Sequence, residues 1–386
     1  MTYLSPMSES ILTDARIVTR DGVVDGTLVL REGRIADIQP GASRAAGAQS
    51  VDGDYLLPGL VELHTDNLEK HLTPRPGVLW PPEAAIVAHD ALVAGCGITT
   101  VLDSVAVGDV IAGTQRRRSL EVTPVGLANA LRHGMLKADH FLHMRIEVSE
   151  PDVREMFEPF LDDPLVRLVS LMDHTPGQRQ YADEAAYRRS YQRRHNIDDA
   201  AYEQFSARRK ALAEQYSQPH RSWMIALSRS RGWPLASHDD ATLEHVAESV
   251  AAHMTIAEFP TTVAAADAAH GHGLKVLMGA PNLVRGGSHS GNVSAGELAA
   301  RGVVDILSSD YYPQSLLHGA FLLSRPPIGM ALADAVATVS DVPAAAVGLH
   351  DRGRIEAGLR ADVIRVCELD GLPIVRSVWR EGRRVA

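Results

Sequence analysis

LPGLVELHTDNLEKHLTPRPG, residues 57–77, starts as an apolar run, ends that run in His64 and Asp66, and passes at once into Lys70, His71 and Arg75. A run that is apolar early and ionisable late reads as a buried parallel strand whose C-terminal end opens on an active site. Seven further runs share the texture: ITTVLDS (98–104), HFLHMRIEV (140–148), VRLVSLMDH (166–174), PLASHDD (234–240), TIAEFPTT (255–262), LKVLMGAPN (274–282) and VDILSSDYYP (304–313). Helical patterns separate them. Eight strands alternating with helices over roughly 250 residues predict an α/β protein built as a (β/α)8 barrel of the TIM type.

The flanks have a different texture. Residues 1–57 alternate polar and apolar positions with turns at Asp21-Gly22, Asp25-Gly26 and Glu32-Gly33, and residues 350–386 repeat the pattern. Neither fragment can bury a core by itself, so the two are expected to join in one small β-sandwich beside a barrel spanning 58–349. The segment Asp183–Arg231 is long, polar and arginine-rich, and its first reading is a solvated helical insertion between strands four and five. A lid over the site is the second.

With 386 residues, 45% hydrophobic, the chain can bury a large core. A net charge of -10 speaks against nucleic acid or an anionic membrane as partner, while leaving room for a local basic pocket. The 34 arginines against four lysines fit codon bias better than any single function. Cys96 and Cys367 have no CxxC spacing, which excludes a disulfide framework and a thiolate zinc site. The start MTYLSPMSES lacks the features of a secretory signal, and no window reaches the ~18 continuous apolar residues of a spanning helix. A soluble cytoplasmic protein is expected, and a homo-oligomer is compatible with the sequence.

Six groups at strand ends read as a divalent-metal constellation: His64 and Asp66 on strand one, Glu147 on strand three, His174 on four, His238 on five and Asp310 on eight. Imidazole and carboxylate donors suit Zn, Mn or Fe, one or two ions per chain. Period-two facing puts His143, Arg145 and Glu147 on one side of strand three, with His143 read as a packed core residue. Asp173 and His174 alternate, as do His238 and Asp239, so facing leaves the lumenal member of each pair open. Glu258 reads equally well as a substrate contact or as a cap for the next helix. His71, His89, His245, His253, His270 and His272 read as structural or solvent-facing.

The PGLVELHTD segment, the strand order, the RGRIEAGLRADVI stretch and Asp310 on strand eight resemble the amidohydrolase superfamily of metal-dependent barrel hydrolases, over essentially the whole chain. The resemblance selects His174 and His238 as the lumenal members of their pairs, and implies that Asp310 orients the attacking water and takes its proton. No lysine stands at the end of strand three or four to serve as a bridging carbamate, which leaves Glu147 for the bridge. Strand one usually ends His-x-His in that superfamily, whereas here it ends His64-Thr-Asp66. Together with SLMDHTPGQRQ, SHDDAT, AEFPTT, MGAPNLVRGGSHSGN and DILSSDYYP in one order, that departure is similar to a branch that cleaves a phosphoanhydride in phosphonate catabolism, on the carbon–phosphorus lyase pathway. The implied reaction is hydrolysis of a triphosphate arm with release of pyrophosphate, and Mg could arrive with the triphosphate.

A triphosphate needs cations and amide donors. The loop after strand seven supplies Arg285, Gly286-Gly287, Ser288 and His289, then opens a helix at Ser294 with Glu297 as capping box. Lys70 and Arg75 after strand one and Arg179 after strand four complete the set of expected substrate contacts. The competing readings are a C–N bond amidohydrolase or deaminase on the same scaffold, and a metal-free scaffold protein.

Overall fold

The structure, a computed structural model, describes residues 9–108, 116–179, 184–195, 197–288 and 291–386. The eight apolar runs form eight parallel strands, β1 Leu60–Thr65, β2 Ile98–Val107, β3 Asp139–Glu147, β4 Val166–Met172, β5 Leu235–His238, β6 Ile256–Glu258, β7 Lys275–Gly279 and β8 Ile306–Ser308. They pair in sequence order from β1 to β8. An isolated parallel bridge between Thr65 and Asp310 brings the first strand back to the last. Glu62 reinforces this seam: its buried carboxylate accepts from the His64 and Ser309 N–H groups, at 2.7 and 2.6 Å, and from the Ser308 hydroxyl at 2.7 Å.

The barrel interior is filled at its base by one apolar layer, including Val61, Leu102, Leu168, Ala236, Ile256, Leu277 and Ile306, with Ala344 and Val347 closing it from below. Side chains on one face of a strand recur every second residue. Two residues on from Ala236 and Ile256 come His238 and Glu258, so the layer that plugs the base also aims these groups into the mouth. Three strands then end on a non-glycine residue in the left-handed region: Asp239 (φ 57°), Phe259 (φ 52°) and Asp310 (φ 52°). Each still donates its N–H to the neighbouring strand, to Glu258 O, Leu277 O and His64 O at 2.9, 2.9 and 3.0 Å. The chain therefore turns out of the ladder without losing its pairing, a conformation that non-glycine residues adopt mainly where surroundings compel it.

The two termini form one eight-stranded sheet. Tyr55–Pro58 runs parallel to Ser10–Thr19 and antiparallel to Val363–Leu369, which joins both ends of the chain as expected. Its own core contains Leu12, Ile17, Leu28, Leu56, Val363 and Trp379. Sheet and barrel meet at Gly59, where a Cβ would stand 2.2 Å from Thr99 Oγ1, so only glycine fits.

Between β4 and β5 lie helices Glu184–His195 and Asp199–Arg231. The second is capped by Asp198, which accepts the Ala201 N–H at 2.8 Å. The outer face is solvated, as expected, with Arg188 of the first helix paired to Asp199 and Glu203 of the second. The other face of the second helix corrects the first reading, because Arg209, His220, Arg221 and Met224 are buried against the barrel, and Tyr202 and Ser206 are buried against the first helix. A second buried polar chain was not foreseen: His89 Nε2 and His140 Nδ1 each lie 2.7 Å from the Asp103 carboxylate, and His140 Nε2 lies 3.2 Å from Asp90. It ties helix Pro82–Gly95 to β2 and β3.

Candidate active site

Six strands deliver the mouth. On β3, the Glu147 carboxylate is fully buried and lies 2.6 Å from His174 Nδ1 and 3.0 Å from the His174 N–H. Ser149 donates to it at 2.7 Å, and Arg209 from the long helix approaches it at 3.5 Å. Burial opposes its ionisation, but His174 and Arg209 outweigh that and hold the carboxyl at about 2. Asp173 faces away, bonded to Ser217 of the helix at 2.9 Å, so the strand-four pair divides as expected.

The strand-five pair does not divide. The left-handed turn at Asp239 brings its carboxylate back to 2.8 Å from His238 Nδ1, and both groups are in the site. Simple alternation fails because it holds only while the backbone stays extended. His238 Nε2 is buried with no hydrogen-bond partner among the described residues. His174, His238 and Asp239 bring donor atoms within 4.8 Å of one another, and Glu147 touches the first of them. A buried imidazole nitrogen without a partner beside an ionised carboxylate is the donor set a divalent ion satisfies.

On the other side of the mouth, His64, Asp66 and Asp310 form a second such group. His64 Nδ1 lies 3.3 Å from Glu258, and burial, which lowers the pKa of His64, is overcome by that carboxylate. Asp66 spends an oxygen on Arg145 Nη1 at 2.7 Å. Burial opposes its charge, yet Arg145 and His64 hold the carboxyl at about 2. Burial instead pushes the Asp310 carboxyl upward. Glu258 is held at about 2 by His143 and His64 against burial. It caps nothing: helix Val263–Gly271 is capped by Thr262, which accepts the Ala265 N–H at 3.1 Å. The capping alternative for Glu258 is thus corrected in favour of the site. His143 is the buried core residue expected, with Nε2 2.9 Å from Ser170 Oγ, and burial depresses its pKa to about 3.

The expected phosphate contacts separate in space and role. Lys70 donates to the Tyr311 carbonyl at 2.6 Å, one residue from Asp310, and so stands at the mouth. Arg285 is exposed immediately after helix Ala280–Val284, which follows β7, with Ser288 three residues on. Ser294 accepts the Glu297 N–H at 3.0 Å as the capping box requires. Arg75 is in the exposed loop whose backbone bridges to Val78. His289 lies outside the described residues. Arg179 is a correction: its buried guanidinium is taken up by Asp240 and Glu248, the latter at 2.8 Å, so it braces the loop after β5 instead of presenting a fork to phosphate. Sequence reasoning placed Arg145 on the inward face without assigning it a task, and passed over Glu62. Glu258 was at hand in the AEFPTT run, at the same strand-end position as the chosen ligands.

No family model matches the chain. Among solved structures, N-acetyl-D-glucosamine-6-phosphate deacetylase from Mycobacterium smegmatis is 18% identical, with a TM-score of 0.62 over 98% of this chain and 100% of that one. N-isopropylammelide isopropylaminohydrolase from Burkholderia multivorans is 17% identical, with a TM-score of 0.64 and 98% of each chain covered. A barrel with a sheet built from both termini, shared with such hydrolases, is the fold of the amidohydrolase superfamily. Alpha-D-ribose 1-methylphosphonate 5-triphosphate diphosphatase of Escherichia coli (strain K12) is 47% identical over 376 residues, 97% of this chain and 100% of that protein. The chain belongs to that diphosphatase family.

Proposed function

We propose that the protein hydrolyses alpha-D-ribose 1-methylphosphonate 5-triphosphate to the 5-phosphate and pyrophosphate, as a cytoplasmic step of phosphonate catabolism. The observation that carries this reading is the likeness, 47% identical and nearly full-length, to a protein of that named activity. The mouth supports it with the chemistry a phosphoanhydride needs. Glu147, His174 and His238 are the residues to hold a divalent ion, Zn, Mn or Fe by their donor types. When bound, such an ion supplies Lewis acidity and lowers the pKa of a coordinated water toward ~7. Asp310, whose carboxyl burial makes more basic than an exposed one, is the residue assigned to orient the attacking water and take its proton. Lys70, Arg285 and Ser288, with Arg75 and His289 from the sequence reading, bind the triphosphate arm. Among the described residues no helix is long and apolar enough to cross a membrane.

Phosphorus NMR of the products made in oxygen-labelled water tests the reading. Pyrophosphate free of label, with label on the ribose 5-phosphate, is expected, and a chelator is expected to stop turnover until metal is restored. Orthophosphate release, or label in the pyrophosphate, would refute it.

A further inference from the structure

Arg145 lies on β3 between His143 and Glu147, only 9% exposed. Its Nη1 is fixed on Asp66 at 2.7 Å, and its Nε is buried with no hydrogen-bond partner among the described residues. Glu258 and Asp310 act on the same guanidinium. A guanidinium keeps its charge in proteins, so the strand-one side of the mouth carries a permanent cation. Two of the groups that a metal would draw on there are engaged: Asp66 by Arg145 at 2.7 Å, and His64 Nδ1 by Glu258 at 3.3 Å. A divalent ion placed among His64, Asp66 and Asp310 would face a like charge at short range in a buried setting, which is costly. On the β3–β4–β5 side the nearest guanidinium, Arg209, stands farther off, 3.5 Å from Glu147, and His238 Nε2 is buried with no hydrogen-bond partner among the described residues.

We propose that the mouth holds one divalent ion, on Glu147, His174 and His238, and that Arg145, anchored on Asp66, stands in place of a second ion and turns its charge toward the substrate. The departure on strand one then has a physical reason. An aspartate pairs with a guanidinium on β3, whereas a second neutral histidine there would leave that guanidinium without its hydrogen-bonded counter-ion. The statement about the ion count stands on the geometry; the part about the substrate rests on the triphosphate reading above.

The test is a count of ions. The whole chain, stripped of metal and titrated with Zn²⁺ or Mn²⁺ alone by calorimetry, with elemental analysis after gel filtration, is expected to bind one ion. Asp66→Asn is expected to keep that ion. Arg145→Met removes the charge while leaving the stem, and is expected to bind a second ion; combining it with Asp66→Asn is expected to return the count to one. Two ions on the wild-type chain, loss of the ion in Asp66→Asn, or a folded Arg145→Met that stays at one ion would each overturn the inference. Should Arg145→Met fail to fold, the wild-type count and Asp66→Asn still decide it. Product analysis on the same wild-type sample keeps the two ideas apart: one ion bound without pyrophosphate release defeats the proposed activity and leaves the count intact.

Discussion

Asp310 closes the barrel with its backbone and serves the site with its side chain. Its N–H reaches His64 O and its carbonyl accepts the Asp66 N–H, both at 3.0 Å, while its left-handed φ turns the chain out of β8. Because the backbone does the closing, Asp310→Asn keeps the fold and removes only the base. Its kcat for pyrophosphate release is expected to fall ~10²–10⁴-fold with the bound metal and the melting temperature unchanged. A kcat within tenfold of wild type would remove Asp310 from the proton-transfer role. At this scale the sequence was informative about residue type and poor about partners. The polar strand ends were legible because ionisable groups rarely end apolar strands without use, while the choice of His174 and His238 within their pairs rested on the family resemblance. The Arg179 pairing was not, because Glu248, 69 positions along the chain, had to come within 2.8 Å before its guanidinium was seen to be spoken for.

The helix Asp199–Arg231 shows what pattern reading misses at the scale of elements. The arginines of this helix and of Glu184–His195 before it look alike in sequence, yet Arg188 of the earlier helix pairs with exposed carboxylates while Arg209 is buried against Glu150, Ser149 and Glu147. Composition sees a polar helix; only packing shows that one stripe crosses the mouth. Truncating one partner of a buried, hydrogen-bonded ion pair leaves the other charge uncompensated. Arg209→Ala is therefore expected to cost about 3–5 kcal/mol, read from urea unfolding of the metal-free chain. Arg188→Ala is expected to leave the midpoint nearly unchanged. Equal effects of the two changes would restore the picture of a solvated insertion.

Across the whole molecule, stability depends on pH through groups far from the mouth. Burial alone would lower the pKa of His140, but Asp103 and Asp90 raise it to about 9. A histidine whose folded pKa is raised contributes stability that is full below its unfolded value, about 6.5, and is lost as pH climbs through the folded value. Wild-type stability is thus expected to lose this contribution between pH 6.5 and 9, and His140→Gln, less stable at the outset, is expected to lose less over that window. Urea titrations at the two limits measure it, and parallel losses in both proteins would show that another group sets the slope.

The sequence by itself determined the eight-strand barrel, the sheet shared by the two termini and the polar strand ends that meet at the mouth. These follow from local periodicity and from the rule that parallel strands are buried along their length and functional at their C-terminal ends. Tertiary structure alone decided that Asp239 turns back beside His238, that Glu258 belongs to the mouth, and that Asp66 meets Arg145. Each of these depends on a left-handed turn or on a partner dozens of positions away. Neither leaves a mark on local pattern, because hydrophobic periodicity records which face is buried and says nothing of which charge lies opposite.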